Sequence, residues 1–370
     1  MKRAIILVTN DIEADQRVAK MAGTISTMGF EIVVVGILRP QSCKNFASSH
    51  TVVRFRMPFQ IGPLFYLFFN MRAFFYLLFH RADVVMACDT DTLLAARLVK
   101  LVKGYWLVFD AHELFLDLPE LIGPSRRFTR AVWSMIERSC ISGVDTAITV
   151  SEGVAKEYAR RYGKSFSVVR NVPLSVSNTK TNRSDRNIII YQGAINVGRG
   201  IELLCEAMRF LPDAELWIAG TGSLDNTIAG LAKPLIELGR IKLLGRIAPD
   251  ALREITAKAS VGVSLEEDMG LSYRYCLPNK LFDYVAAEIP VLVSDLPEMR
   301  KLVEGYRIGL VLKERTPYAL ADSIRLMLTD VEMRKQWQQN LAVAATDLCW
   351  EKEQEKLFRA WKREGSSPLG

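Results

Sequence analysis

The sequence predicts an α/β protein built from two successive parallel-sheet halves. Short, largely apolar runs at 4–9, 31–36, 83–87 and 106–109 alternate with helical patterns, the order that gives buried parallel strands covered by helices. Residues 173–187 (PLSVSNTKTNRSDRN) are polar, rich in Ser, Thr and Asn and free of apolar periodicity, as a linker is. The α/β pattern restarts at 188–192, and 370 residues suffice for two domains with separate cores.

Composition narrows the classes. Apolar residues make up 49% and charged residues 24%, a globular balance. Met1-Lys2-Arg3 runs directly into the first apolar run without a small-residue cleavage site, so a cytoplasmic location is expected. Six cysteines, Cys43, Cys88, Cys140, Cys205, Cys276 and Cys349, show no CxxC or metal-ligand spacing, as expected of reduced thiols. The net charge of +7 lies wholly before Asn171: 22 Lys and Arg against 15 Asp and Glu through Arg170, and 26 against 26 afterwards. A basic half suits nucleic acid, an anionic membrane, an acidic substrate or plain solvation.

The first loop, TNDIEADQR, follows the first strand at the sheet edge where ligands bind; Asp15 and Arg17 could pair with each other on the helix that follows, 16–28. Residues 62–80 (GPLFYLFFNMRAFFYLLFH) are the most apolar stretch. Asn70 and Arg72 in mid-span and the flanking α/β pattern exclude a crossing helix. Either the helix is wholly buried on the sheet, or it packs there while offering Phe and Tyr to lipid inside a rim of Arg54, Arg56, Arg72 and Arg81; the second is the expectation. Asp89-Thr90-Asp91-Thr92 is read as the cap of a helix reaching Lys103. The strand at 106–109 ends in Asp110-Ala111-His112-Glu113, a histidine beside two carboxylates where α/β enzymes place chemistry. The helix at 126–142 is amphipathic with a basic start, a ligand-facing wall or a solvated face.

In the second half, the glycine turn 193–200 (GAINVGRG) lets backbone approach a phosphate, with Arg199 able to pair with it as a fork. Residues 260–265 read as a strand, followed by a polar loop and a helix from Asn279 that ends before Pro290. Pro278 suits a helix start, and the amides of Asn279, Lys280 and Leu281 would be the unpaired donors of its first turn. Lys280 adds a full charge to that anion-attracting end, and Asp283, one turn later, could accept from ribose hydroxyls.

This segment resembles the donor-binding motif of the GT-B glycosyltransferases, in particular the retaining family 4 (glycosyl transferases group 1). In that family two glutamates eight positions apart precede a GxPV step. Asp283 stands at the second glutamate and Glu288-Ile289-Pro290-Val291 at the step. Spacing puts Tyr275 at the first, so Glu266, Glu267 or Asp268 would meet the donor sugar, and Glu267 is taken for that role. The Pro278-Asn279-Lys280 sequence resembles a branch in which the lysine lies near the diphosphate. Arg199 matches the second of the family's two phosphate cations, while Ala194 replaces the first. The DxHE pattern resembles the segment whose histidine lies against the donor sugar.

The resemblance implies two Rossmann-like domains facing an interdomain cleft. Their bounds are 1–172 for the acceptor domain, 173–187 for the linker, 188–345 for the donor domain and 346–370 for a helix returning to the first domain. It implies His112 as the catalytic residue; Gly193, Arg199, Glu267, Asn279, Lys280, Leu281 and Asp283 as donor contacts; and Asp15, Arg17, Asp110 and Glu113 on the acceptor side. The expected partners are a UDP- or GDP-linked sugar, a glycan or lipid-linked acceptor and the inner face of the cell membrane, with no nucleic acid. No metal or other cofactor is expected: Asp89-Thr90-Asp91 has DxD spacing but reads as a cap, and cations replace the ion. Two alternatives are another GT-B enzyme, such as a nucleotide-sugar epimerase or an inverting transferase, and a non-catalytic GT-B partner subunit.

Overall fold

The computed structural model describes residues 1–40, 42–43, 48–175 and 186–362. Most of the expected linker, 176–185, lies outside the described residues. The chain divides into two compact units, Met1–Asn171 with Gln354–Gly370, and Val172–Glu353.

The first unit runs β1 (Lys2–Leu7), α1 (Gln16–Thr27), β2 (Phe30–Leu38), β3 (Thr51–Arg56), α2 (Gly62–Phe79), β4 (Val84–Cys88), α3 (Thr90–Lys103), β5 (Trp106–Ala111), α4 (Arg127–Ile141), β6 (Thr146–Thr149), α5 (Glu152–Tyr162) and β7 (Ser167–Val168). The seven strands pair in parallel in the order β3-β2-β1-β4-β5-β6-β7. β1 begins ahead of the apolar run because Lys2 and Arg3 keep register with Phe30 and Glu31, where Arg3 and Glu31 form an ion pair of 2.9 Å. The closing strand is only Ser167–Val168. Val169 still donates to the Thr149 carbonyl, but its own carbonyl is taken by Arg17, which ends the ladder. Successive strands are laid to one side of β1 and then, from β4, to the other. That reversal opens a crevice at the carboxyl ends of β1 and β4, into which residues 8–15 and Asp89 lead.

α2 is long and apolar enough to span a bilayer, yet it packs on the unit through Phe65, Phe69, Ala73 and Leu77, spaced four apart on one stripe. Phe55 of β3 meets Tyr76 edge-on and Phe69 at a tilt. The remaining faces are not covered: Leu64, Leu67, Met71, Phe75 and Phe79 are exposed, which rules out the wholly buried alternative. α3 lies alongside, and Lys103 donates to the carbonyls of Leu77 and His80, so the two helices end together. Leu98, Leu101 and Val102 of α3 are exposed as well.

The second unit runs β8 (Asn187–Gln192), α6 (Ile201–Ala207), β9 (Ala214–Ala219), α7 (Asp225–Glu237), β10 (Ile241–Gly245), α8 (Pro249–Thr256), β11 (Val261–Ser264), α9 (Leu271–Arg274), α10 (Asn279–Ala286), β12 (Val291–Ser294), α11 (Pro297–Tyr306), β13 (Gly309–Leu312), α12 (Pro317–Thr329), α13 (Val331–Asp347) and α14 (Trp350–Lys362). Its six parallel strands take the order β10-β9-β8-β11-β12-β13, so the same reversal falls between β8 and β11. The loops 193–200 and 265–270 leave from that point. α14 buries Leu357 and Trp361 completely, and its residues from Gln354 belong to the first unit.

Candidate active site

In the first unit, β4 and β5 are neighbours in register, Cys88 opposite Asp110, so the residues after each strand meet. Asp110 is fully buried and held by the guanidinium of Arg17, Nε to Oδ2 at 2.8 Å and Nη2 to Oδ1 at 2.6 Å, while Arg17 Nη1 donates to the Val169 carbonyl at 2.9 Å. His112 follows two residues later. Its Nε2 lies 3.0 Å from Asp110 Oδ2, its Nδ1 lies 3.1 Å from Asp89 Oδ2, and its backbone N–H donates to Asp89 Oδ1 at 2.8 Å. Burial opposes a charge on this imidazole, but the two carboxylates outweigh it and hold the pKa well above the ordinary histidine value. Burial likewise opposes the Asp110 charge; Arg17 and His112 outweigh it and hold that carboxyl well below the usual range. The result is an imidazolium with 21% of its side chain exposed, set on an interior ion pair.

Three expectations are corrected here. Arg17 does not pair with Asp15 along the helix: Asp15 caps α1 by accepting from the Val18 N–H, and Arg17 turns inward to Asp110. Arg17 and Asp110 are therefore interior groups, with 3% and 0% exposure, and position His112 instead of meeting an acceptor directly. Asp89 makes no side-chain cap on α3; it adopts a φ of 61° and gives both carboxylate oxygens to His112. Beside it, Asp91 is pushed up to about 7 by burial and by Asp89, with Oδ2 accepting from Thr9 at 2.6 Å. Glu113 is half-buried, and its carbonyl accepts from the Tyr158 hydroxyl. The Cys88 thiol, pushed up to about 12 by burial, lies within metal-ligand spacing of Asp110 and His112. A protonated thiol and two cations at one carboxylate are a poor cradle for a metal ion.

In the second unit, Gly200, at a φ of 70°, lies where a Cβ would come 2.3 Å from the Leu265 carbonyl, so the 193–200 turn closes tightly on the loop after β11. Glu267 N–H seals the contact by donating to the Gly198 carbonyl at 2.8 Å. This brings Arg199 beside Glu266. Lys280, in the first turn of α10, reaches the same oxygen: Lys280 Nζ is 2.7 Å and Arg199 Nη1 3.5 Å from Glu266 Oε1, while Ser264 donates to Oε2 at 2.7 Å. Burial raises the Glu266 pKa, but Lys280, Ser264 and Arg199 together bring it below the ordinary value. Lys280 also lies 4.1 Å above the Tyr191 ring and Arg199 4.8 Å above that of Tyr273. Two cations on one buried carboxylate leave one positive charge over, and Arg199 Nε is buried with no hydrogen-bond partner among the described residues.

The remaining donor candidates fall around this centre. Gly193, at a φ of 130°, passes close to the Lys280 side chain. Asp283 Oδ2 accepts from Gln192 Nε2 at 2.7 Å, and the Thr256 hydroxyl donates to Gln192 Oε1 at 2.8 Å, so the carboxylate is held at the end of β8. Asn279 is exposed. The Leu281 N–H is not an open donor as expected: the first turn tightens, and this group donates to the Pro278 carbonyl at 3.0 Å. Of the three acids, Glu266 is fully engaged and Asp268 is held bidentately by Arg274, whereas Glu267 stands 45% exposed with Arg315 at 3.4 Å. Sequence reasoning passed over Glu266 as the hub and missed Tyr191, Gln192, Tyr273 and Arg315. Arg315 braces the loop through the Leu265 carbonyl and Ser294. No local pattern marks these residues; they become neighbours because β8 and β11 are.

Two parallel sheets, each with a polar cluster at its reversal point, define the class as GT-B. Sucrose-phosphate synthase from Thermosynechococcus elongatus has this fold, with a TM-score of 0.77 at 17% identity over 98% of this chain and 99% of that one. HepE from Anabaena, solved with UDP and glucose, gives 0.74 at 13% identity over 98% and 100%. The "Glycosyltransferase Family 4" model matches residues 14–176 and the "Glycosyl transferases group 1" model residues 176–342. The chain belongs to the glycosyltransferases of this group 1 and family 4 type. Among curated proteins, alpha-D-kanosaminyltransferase of Streptomyces kanamyceticus is 26% identical over 165 residues, 43% of this chain and 40% of that protein. An uncharacterized glycosyltransferase of Methanocaldococcus jannaschii is 25% identical over 158 residues, 41% and 38%. The chain thus spans about two fifths of the length of the curated relatives it matches.

Proposed function

We propose that this glycosyltransferase is a retaining, metal-independent enzyme that moves a sugar from a UDP- or GDP-linked donor to a hydroxyl of a glycan or lipid-linked acceptor. The observation that carries the donor side is the pair Lys280 and Arg199 converging on Glu266, with one positive charge in excess and a guanidinium N–H still to be satisfied. A diphosphate supplies the missing charge and acceptor atoms. Glu266 fixes both cations before the donor arrives, so little reorganisation is needed as negative charge builds on the leaving group. Asp283 and Glu267 would take ribose and sugar hydroxyls. In a same-face reaction the leaving diphosphate itself accepts the proton of the attacking hydroxyl, and the His112 imidazolium, charged at neutral pH, steadies the developing negative charge. A panel of UDP- and GDP-sugars assayed for slow hydrolysis tests this. One donor is expected to be turned over without added metal and in the presence of EDTA, with its anomeric configuration retained; UDP-glucose comes first because HepE is solved with it. No turnover of any donor favours a non-catalytic partner subunit, and inversion or epimerised product favours the other GT-B alternative.

The exposed apolar side of α2 favours an acceptor carried at a membrane. Leu64, Leu67, Met71, Phe75 and Phe79 present a continuous surface on a unit whose sequence through Arg170 holds the entire charge excess. Aromatic insertion with anionic attraction of about 1 kcal/mol per nearby basic residue gives salt-weakened but not salt-abolished binding. In flotation, wild type is expected to rise with liposomes containing acidic lipid, and Leu67→Glu/Phe75→Glu to remain below. A wild-type protein that stays soluble at low salt assigns this side to protein contacts and the acceptor to solution.

A further inference from the structure

The first unit holds a second cationic feature that the donor chemistry does not use. α4 carries Arg127 and Arg138 on the face that also bears Ala131 and Ser134, and the end of α5 brings Arg160 and Arg161 against it. With Arg130 they line a concavity of about 560 Å³, within the range of small-molecule sites. Two carboxylates serve three of the five arginines. Asp117 takes Arg130 at 3.2 Å and Arg161 at 2.5 Å; Glu157 takes Arg160 and Arg161, each at 2.6 Å. Arg127 and Arg138 have no ion-pair partner among the described residues, so the concavity carries an excess of positive charge. Its floor is fixed. Trp133, on the opposite face of α4, packs against Phe115 and Leu116, and Tyr162 donates to the buried Glu137. Guanidinium groups held by shared carboxylates are forks already oriented, and planar donors of this kind match phosphate oxygens.

We infer that this concavity binds a phosphate-bearing group of two or more negative charges, a diphosphate or a phosphomonoester, with Arg127 and Arg138 as the charges it neutralises. The inference stands apart from the donor reading, since none of its residues belongs to the Lys280 cluster. The test is calorimetric titration of the full chain with inorganic pyrophosphate at physiological salt, comparing wild type with Arg127→Glu/Arg138→Glu. Both side chains are exposed, so the variant is expected to melt as wild type does. One pyrophosphate-binding phase should weaken roughly tenfold or more, the effect of losing at least one charge-assisted contact. Arg127→Lys/Arg138→Lys, which keeps charge but not the fork, should fall between the two. Phosphatidylcholine vesicles with and without phosphatidic acid identify the source. Binding to the acidic vesicles that pyrophosphate displaces places the phosphate on a lipid, and pyrophosphate binding that such vesicles leave untouched places it on a soluble molecule. Identical pyrophosphate titrations for wild type and the Glu variant, or displacement by chloride at matched ionic strength, would overturn the site.

Discussion

Replacing Lys280 with alanine is expected to weaken UDP or GDP binding by 10-fold to more than 100-fold, the roughly 1.5–3 kcal/mol of a charge-assisted contact. It should also lower stability, because among the described residues Glu266 then keeps Ser264 and the longer contact from Arg199 while staying buried. Removing one partner of a buried pair costs about 3–5 kcal/mol when nothing replaces it, and Arg199 keeps the loss towards the lower end. The two effects separate in Lys280→Ala/Glu266→Gln, which no longer buries an unpaired charge. That variant should regain its melting temperature without regaining nucleotide affinity. Calorimetry and thermal unfolding together decide: unchanged affinity for both nucleotides in Lys280→Ala and in Arg199→Ala removes the diphosphate role. Glu266 adds a pH signature. Its folded pKa is depressed, so its contribution is complete above the unfolded value and is lost as pH falls through the folded one, a loss confined to the acid side.

His112→Ala is expected to cut turnover by about 10²- to 10³-fold, the usual effect of removing one preorganised charge-stabilising donor. Its melting temperature should fall by the imidazolium's own contribution but not collapse, because Asp110 keeps both hydrogen bonds from Arg17. His112→Gln should retain the fold and remain slow, since an amide can fill the space but not carry the charge. The folded pKa of His112 is raised, so its contribution to stability is complete below the unfolded value near 6.5 and is lost as pH rises through the folded value. Imidazole resonances of wild type should therefore report the protonated form at pH 7.5, with turnover falling on the alkaline side as the proton leaves. A neutral ring at that pH, or normal turnover in His112→Ala, counts against the assignment.

The linear sequence determined the two parallel-sheet halves, because a strand buried on both faces must be apolar along nearly all its length, and runs such as 4–8 and 188–191 are. It also placed His112 just past a strand and Lys280 at a helix start, since proline and the change of period mark those positions locally. What each side chain touches is another matter. Arg17 and Asp110 are 93 positions apart, and nothing near either shows that both would be interior partners. Asp89 looked like a cap because capping is a local pattern; its carboxylate was available to His112 only once β4 and β5 lay side by side. Glu266 was one of three consecutive acids until β8 came to rest against β11, carrying Arg199 and Tyr191 to it and leaving Glu267 half-exposed beside Arg315. Strand order decides these contacts. It is set by the packing of whole layers, whereas periodicity and turn residues report only on the few positions around them.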